Sequence, residues 1–244
     1  MSQQIVILAA GKGTRMGAEI PKVLLPINGK PVVSHILDEI ETIPQESKPV
    51  IVVGFQEQVV KDTLGPDYIY VTQVDQKGTA HAVLSAQSVV TADNFIVLNG
   101  DMPFTKKESL LKLIHSHTSS DAMVSMFTVV LPNFENDYGH FASWGRIIRD
   151  KTGKIIKIQE FKDSSDEQKL ITEVNTGTYM FNSKWLWDKL QQIGDNNSQH
   201  EFYLTDIIEL AIGDNQTVNS LTILAEEAYG INDPEDLEFA RKLV

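Results

Sequence analysis

A chain of 244 residues, 42% hydrophobic and 22% charged, has the composition of a folded globular protein, which excludes disorder. It contains no cysteine, so disulfides, thiolate metal sites and a cysteine nucleophile are excluded together. A formal net charge of -12 argues against nucleic acid or an anionic membrane as a partner, since both want a basic face, whereas a phosphorylated small molecule needs only a local cluster of cations, distant charges being screened over about 8 Å.

Met1-Ser2-Gln3-Gln4 runs straight into Ile5-Val6-Ile7-Leu8-Ala9-Ala10 with no basic flank, which predicts a buried strand over 5–10 and not a signal peptide. No apolar run reaches the roughly 20 residues of a membrane span, and the expected location is the cytoplasm. Pro31 at a first helical position, with Val33, Ile36, Leu37 and Ile40 at i, i+3, i+4 and i+7, predicts an amphipathic helix. A strand over 49–54, a helix over 56–64, a strand over 68–72, a helix from 78 to 90, a strand over 95–98 and a helix over 107–117 follow. This alternation predicts an α/β fold, a mostly parallel central sheet flanked by helices.

The second half predicts a smaller mixed β region. A strand over 122–131, a hairpin over 146–161 around Asp150-Lys151-Thr152-Gly153, a strand over 174–181 and a short helix over 184–190 come first. After a loop at 194–197 come a helix from Thr205, a strand over 221–225 and a last helix, N-capped by Asp233 with Pro234 in its first turn. A single domain over 1–244, with halves 1–120 and 121–244, is the default. A separate small second domain is the alternative.

Leu8-Ala9-Ala10-Gly11-Lys12-Gly13-Thr14-Arg15-Met16-Gly17 follows the first strand, where open α/β sheets bind phosphates. It is not a P-loop, because Gly13 follows Gly11-Lys12 where Ser or Thr is required and Val6 replaces the earlier glycine. Nor is it a dinucleotide fingerprint, since Met16 occupies the third glycine position. What remains is a small-residue loop whose backbone N–H groups can approach a polyphosphate, with Lys12, Arg15 and Lys22 close in sequence.

That loop, followed by Pro21-Lys22-Val23-Leu24-Leu25-Pro26, resembles the signature of the sugar nucleotidyltransferases, the pyrophosphorylases that make nucleotide sugars. Residues 73–82, Gln73-Val74-Asp75-Gln76-Lys77-Gly78-Thr79-Ala80-His81-Ala82, resemble the base-reading segment of bacterial N-acetylglucosamine-1-phosphate uridylyltransferases. Gly100-Asp101-Met102-Pro103, Gly145-Arg146-Ile147, Glu160-Phe161-Lys162-Asp163, Asn175-Thr176-Gly177, Glu201 to Asp206 and Gly230-Ile231-Asn232 keep the same order, so the resemblance spans nearly the whole chain.

The resemblance implies a nucleotide-diphospho-sugar transferase fold that moves a nucleoside monophosphate from a nucleoside triphosphate to a sugar 1-phosphate. UTP and N-acetylglucosamine 1-phosphate are its best match. It implies that Arg15 and Lys22 are catalytic phosphate-binding residues, and that Leu8, Ala9, Ala10, Gly11, Lys12 and Gly13 approach the nucleotide. Gln73, Gln76 and Gly78 would hold the base, with Thr79 beside them. Gly100, Gly145, Glu160 and Asn175 would read the sugar, and Asp101 and Asn232 would hold Mg²⁺ as hard oxygen ligands. Such chemistry needs no histidine or cysteine catalyst, because a phosphate monoester, with a second pKa near 6, is already mostly dianionic at neutral pH.

The sequence also departs from that pattern. Asn99 stands where the uridylyltransferases usually carry an aromatic residue, residues 140–143 look like an insertion ahead of the sugar-binding turn, and no hexapeptide repeat of an acetyltransferase β-helix is present. Read singly, Asp101, Asn232 and Glu160 are also compatible with turns or a solvated hairpin. Another base with another sugar phosphate or phosphocholine stays open, because the amides of Gln73 and Gln76 can donate or accept. So does a catalytically silent nucleotide-sugar sensor. His81 is expected to be structural, and His115 and His117, two apart on a helix, are expected at the surface.

Overall fold

A computed structural model of the chain describes residues 2–243. In chain order its strands and helices are β1 (Gln3–Ala9), β2 (Pro26–Ile27), β3 (Lys30–Pro31), α1 (Val32–Ile40), β4 (Val50–Val53), α2 (Glu57–Leu64), β5 (Ile69–Thr72), α3 (Thr79–Ser85), β6 (Asn94–Asn99) and α4 (Lys107–Ser119). They continue as β7 (Val124–Val130), β8 (Arg146–Arg149), β9 (Ile155–Gln159), α5 (Asp166–Lys169), β10 (Glu173–Asn182), α6 (Ser183–Leu190), α7 (Ile207–Gly213), β11 (Val218–Thr222) and α8 (Pro234–Leu243).

Among the described residues nine strands form one sheet, in the order β11-β7-β10-β6-β1-β4-β5 with the β8–β9 hairpin attached to β10. Every pairing along that path is parallel except the two made by β10. Both faces of the central strands are covered, as parallel sheets require. Val6, Val52 and Val97 pack with Val83, Leu186 and Ile207 from α3, α6 and α7. Ile5, Ile7, Ile51 and Ile96, one residue out of phase, pack with Ile36 and Leu113 from α1 and α4. Burying each such aliphatic side chain contributes about 1.5–3 kcal/mol. From β1 the chain builds outward through β4 and β5, then returns to β6 on the other side. The C-terminal end of β1 is therefore a topological switch point, where open sheets bind their ligands.

β10 shapes the second half of that crevice. Asn175 pairs with Thr128 but Tyr179 with Met126, so β10 holds two more residues than β7 across this stretch. Gly177 sits in the bulge at φ +78, and a Cβ there would stand 2.5 Å from Asn99 Nδ2. Beyond the bulge β10 pairs with β6; before it, Val174 pairs with Arg146 of β8. The strand thus diverges from the end of β6 and leaves a gap.

Three expectations change. The helix expected over 78–90 stops at Ser85 and tightens into overlapping turns, Gln87 N to Leu84 O and Val89 N to Ala86 O. The strand expected over 221–225 lies at Val218–Thr222, because its parallel register on Val124–Thr128 ends there, and Leu224 is exposed. His117 is not at the surface. It is 1% exposed and continues the buried face of α4 one turn past Leu113, where Nδ1 lies 2.9 Å from Ser125 Oγ and Nε2 3.2 Å from Asn94 Oδ1. Burial pushes its pKa down to about 4. His115 is exposed, as expected. No helix among the described residues is long and apolar enough to cross a membrane.

Candidate active site

A cleft of about 340 Å³ opens at the end of β1, lined by Leu8, Ala9, Ala10, Gly11, Gly13, Gln73, Gln76, Gly78 and Thr79, all predicted nucleotide contacts. Gly13, at φ +60, leaves room for the Lys22 stem, since a Cβ there would meet Lys22 Cβ at 2.8 Å. Gln76 donates from Nε2 to Ala10 O at 2.7 Å, which ties the loop over residues 73–78 to the end of β1. Gln73, 4% exposed, donates from Nε2 to Gly78 O at 3.1 Å, with His81 Nδ1 at 3.2 Å. His81 thus supports Gln73, the structural role expected of it. Behind this loop, Ala80 N donates to Phe202 O at 3.0 Å and Leu204 N to Thr79 Oγ1 at 3.1 Å.

Lys12 departs from expectation. It is exposed, does not line the cleft and places Nζ 5.7 Å from the centre of the Phe55 ring. The loop turns at the left-handed Gly13, so that Lys22 reaches the far wall, while Arg15, exposed and lining neither cleft, touches that wall at Asn232. There Lys22 Nζ lies 2.5 Å from Asp101 Oδ2 and 3.2 Å from Asn232 Oδ1, and Arg15 Nη2 lies 3.3 Å from the same Asn232 oxygen. Asp101 and Asn232 therefore converge on one cation. Their loops are joined directly, Ile231 N donating to Asp101 O at 2.8 Å. Asp236 fixes the second loop by accepting from Asn232 N at 2.8 Å and Asp233 N at 3.2 Å, while Asp233 Oδ1 caps α8 by accepting from Asp236 N at 2.9 Å. Burial raises the Asp236 pKa. Among the described residues no group of three or more His, Cys, Asp or Glu side chains can hold a metal, so an ion here would take most of its ligands from substrate phosphates and water, as Mg²⁺ commonly does.

A second cleft, of about 210 Å³, occupies the gap between β6 and β10 and is lined by the predicted sugar residues Gly145, Glu160 and Asn175. Gly100 does not line it. Gly100 is instead packed behind the strand end, donating its N–H to Leu8 O at 2.9 Å. Asn175 N donates to Gly145 O at 2.9 Å, which sets the two walls together. Glu160 Oε1 accepts from Thr205 Oγ1 at 2.9 Å. Burial, reinforced by Asp206, Asp163 and Glu201 and opposed by the Thr205 hydrogen bond, raises its pKa.

Sequence reasoning missed Met102, Trp144, Thr176 and Gly230, which also line this cleft. It also missed Arg146, 1% exposed, whose guanidinium donates to the carbonyls of Trp144, Ala142 and Lys169 and lies 4.4 Å from the centre of the Phe134 ring. The block Gly145-Arg146-Ile147 was the only signal for it, because burial of an arginine without a carboxylate partner depends on carbonyls brought together by the fold.

The MobA-like NTP transferase domain family matches residues 5–173. The chain is 39% identical over 96% of its length to the bifunctional protein GlmU of Exiguobacterium sibiricum, of which it covers 51%, and 38% identical over 97% of its length to that of Desulfotalea psychrophila, of which it covers 68%. It thus spans about half the length of most of the curated relatives it matches. Among solved structures, a UDP-glucose pyrophosphorylase complexed with UDP-glucose superimposes with a TM-score of 0.79 at 17% identity, covering 100% of this chain and 98% of that one. HddC from Yersinia pseudotuberculosis gives 0.71 at 22%, covering 100% and 99%. Those two likenesses show the fold. The family match over residues 5–173, with 38% identity to the Desulfotalea protein over 97% of this chain, shows more: this chain belongs to the MobA-like NTP transferases.

Proposed function

We propose that the protein transfers a nucleoside monophosphate to a sugar 1-phosphate and releases pyrophosphate, with UTP and N-acetylglucosamine 1-phosphate as the substrate pair. The observation that carries this is a shared wall: Asn99 and Asp101 line both clefts, beside Lys22. A nucleotide in the first cleft and a sugar phosphate in the second would bring the α-phosphorus and the attacking oxygen together at that wall. The similarity of residues 73–82 to a uridine-reading segment supports the base, and the neighbouring fold solved with UDP-glucose supports a nucleoside diphosphate sugar as product.

The sugar-phosphate oxygen attacks the α-phosphorus in line, the bond to the β-phosphate breaks, and pyrophosphate leaves. The nucleophile is already anionic, so the task is to position two anions and offset their repulsion. Arg15 and Lys22 serve the polyphosphate, Gln73 and Gln76 the base, and Glu160 and Asn175 the sugar hydroxyls. Asp101 and Asn232 would hold Mg²⁺, which would supply further charge neutralisation at the transferring phosphate. A nucleoside triphosphate substrate supports a cytoplasmic location.

The test is pyrophosphate release across four nucleoside triphosphates crossed with several sugar 1-phosphates and phosphocholine, with and without excess chelator. Turnover of UTP with N-acetylglucosamine 1-phosphate, lost in chelator, is expected. Full activity in chelator removes the metal from the reading. Binding with no pyrophosphate release from any pair makes the protein a nucleotide-sugar sensor instead.

A further inference from the structure

Residues 140–143, the segment that departs from the family pattern, form the end of a 3-10 helix, Asn136–Ser143, that turns into Trp144. Phe141, 1% exposed, meets Trp144 edge-on with ring centres 4.7 Å apart and 70° between planes. His140 packs against Phe141 with ring centres 3.8 Å apart and against Tyr229 at 4.0 Å, both tilted. Trp144 lines the sugar cleft, and a Cβ on Gly230 would stand 3.7 Å from its Cζ2. Tyr229 begins the loop that delivers Asn232, and its hydroxyl is 3.2 Å from Asp236 Oδ1, the carboxylate that holds Asn232 N. A continuous run of ring contacts thus joins one wall of the sugar cleft to the loop forming the other. Neither His140 nor Phe141 lines the cleft itself.

We propose that His140 and Phe141 are positioning residues, a strut that fixes the width of the sugar cleft by holding Trp144 at a set distance from loop 229–232. The proposal rests on the sugar 1-phosphate reading of that cleft. His140 supports it through tilted ring contacts with Phe141 and Tyr229 and a hydrogen bond to the Asp137 backbone, while Nε2 is buried with no hydrogen-bond partner, so that nitrogen is not what the position uses. Buried polar atoms without partners are costly and persist where another contact needs the side chain. A width set by packing acts on whatever the cleft holds; neither Trp144 nor residues 229–232 line the nucleotide cleft, though Asn232 touches Lys22 and Arg15.

The test compares His140→Ala, Phe141→Leu and His140→Phe with wild type in steady-state pyrophosphate release. His140→Ala and Phe141→Leu should raise KM for the sugar 1-phosphate by about tenfold or more, the low end of what a lost pocket packing contact is worth. That rise should exceed any change in KM for the triphosphate, and any loss of kcat would report movement of Asn232, which touches Lys22 and Arg15. His140→Phe keeps an aromatic ring in contact with Phe141 and Tyr229 and should hold KM for the sugar 1-phosphate near wild type, even where loss of the hydrogen bond to the Asp137 backbone lowers Tm. Acrylamide quenching of Trp144, measured in a Trp185→Phe, Trp187→Phe background, should increase in His140→Ala. Equal loss of affinity for both substrates, or unchanged sugar-phosphate KM with unchanged quenching, overturns the strut. If wild type turns over no sugar 1-phosphate, the activity reading falls and the sugar-cleft role falls with it; if wild type is active and His140→Ala matches it, only the strut falls.

Discussion

Lys22 and Asp101 meet at 2.5 Å across the boundary of the two clefts, with side chains only 13% and 23% exposed. The ammonium and the carboxylate offset one another, with Asn232 Oδ1 also within reach of Lys22 and Arg15 beyond, so the net positive charge beside the place where a phosphoryl group would pass is that of Arg15.

Arg15→Ala should therefore lower kcat and kcat/KM together, by about 10²–10³, the usual loss of one donor aimed at developing charge. Lys22→Ala should be nearly as severe, since it also leaves Asp101 without its partner. Initial-rate kinetics of pyrophosphate release decide the point. A kcat for folded Arg15→Ala within a few-fold of wild type would reduce the loop to a structural turn.

Gly78→Ala tests whether the base-reading loop has any freedom. The residue sits at φ +110, and a Cβ would stand 2.6 Å from Phe202 O and 2.8 Å from Phe202 N, both backbone atoms that cannot rotate away. Backbone strain of this kind costs about 1–3 kcal/mol before the clash is counted. Thermal melts should show a clear loss of Tm, and nucleotide titration should show weakened binding. A variant with wild-type Tm and affinity would mean the loop and residues 201–205 separate easily.

Glu160→Gln should trade sugar recognition for stability. Burial raises the Glu160 pKa above its ordinary value, so the unfolded chain ionises more readily. The native state is favoured below the ordinary pKa, and that advantage is lost as pH rises through the folded one. Gln removes the cost at neutral pH while still accepting from Thr205, so Tm should rise at pH 7 and change little at pH 4. KM for the sugar phosphate should increase about 10- to 100-fold, the range for a lost hydrogen bond to a charged group. A lower Tm at pH 7 would contradict the assigned cause of the shift.

His117 should make the fold acid-sensitive. Its pKa is about 4 in the native state against an ordinary 6.5, so between those values the unfolded chain binds a proton that the native chain does not. Stability then falls as pH drops through that window, by about 3 kcal/mol in all. Urea melts from pH 7 to pH 4 measure the slope. His117→Asn, whatever its effect at pH 7, should flatten it, and an unaltered slope would assign the acid sensitivity elsewhere.

Resemblance to the sugar nucleotidyltransferases pointed to most of the residues along the first cleft and fewer than half of those along the second, whereas the sequence by itself determined the alternation of strands and helices, the glycine-bearing loop after β1 and the cap at Asp233. These are legible because apolar periodicity, caps and turn glycines act within a few residues of where they are written. The tertiary structure decided the rest. It placed Lys22 beside Asn232, 210 positions away, put Lys12 and Gly100 off the clefts, and buried His117 on the inner face of a helix whose last turn is otherwise polar. It also opened the sugar cleft through a register shift at Gly177 and set His140 against Tyr229. Convergence of this kind depends on strand order and on which strand a bulge releases. Those are set by long-range pairing and packing, and local pattern carries no record of them.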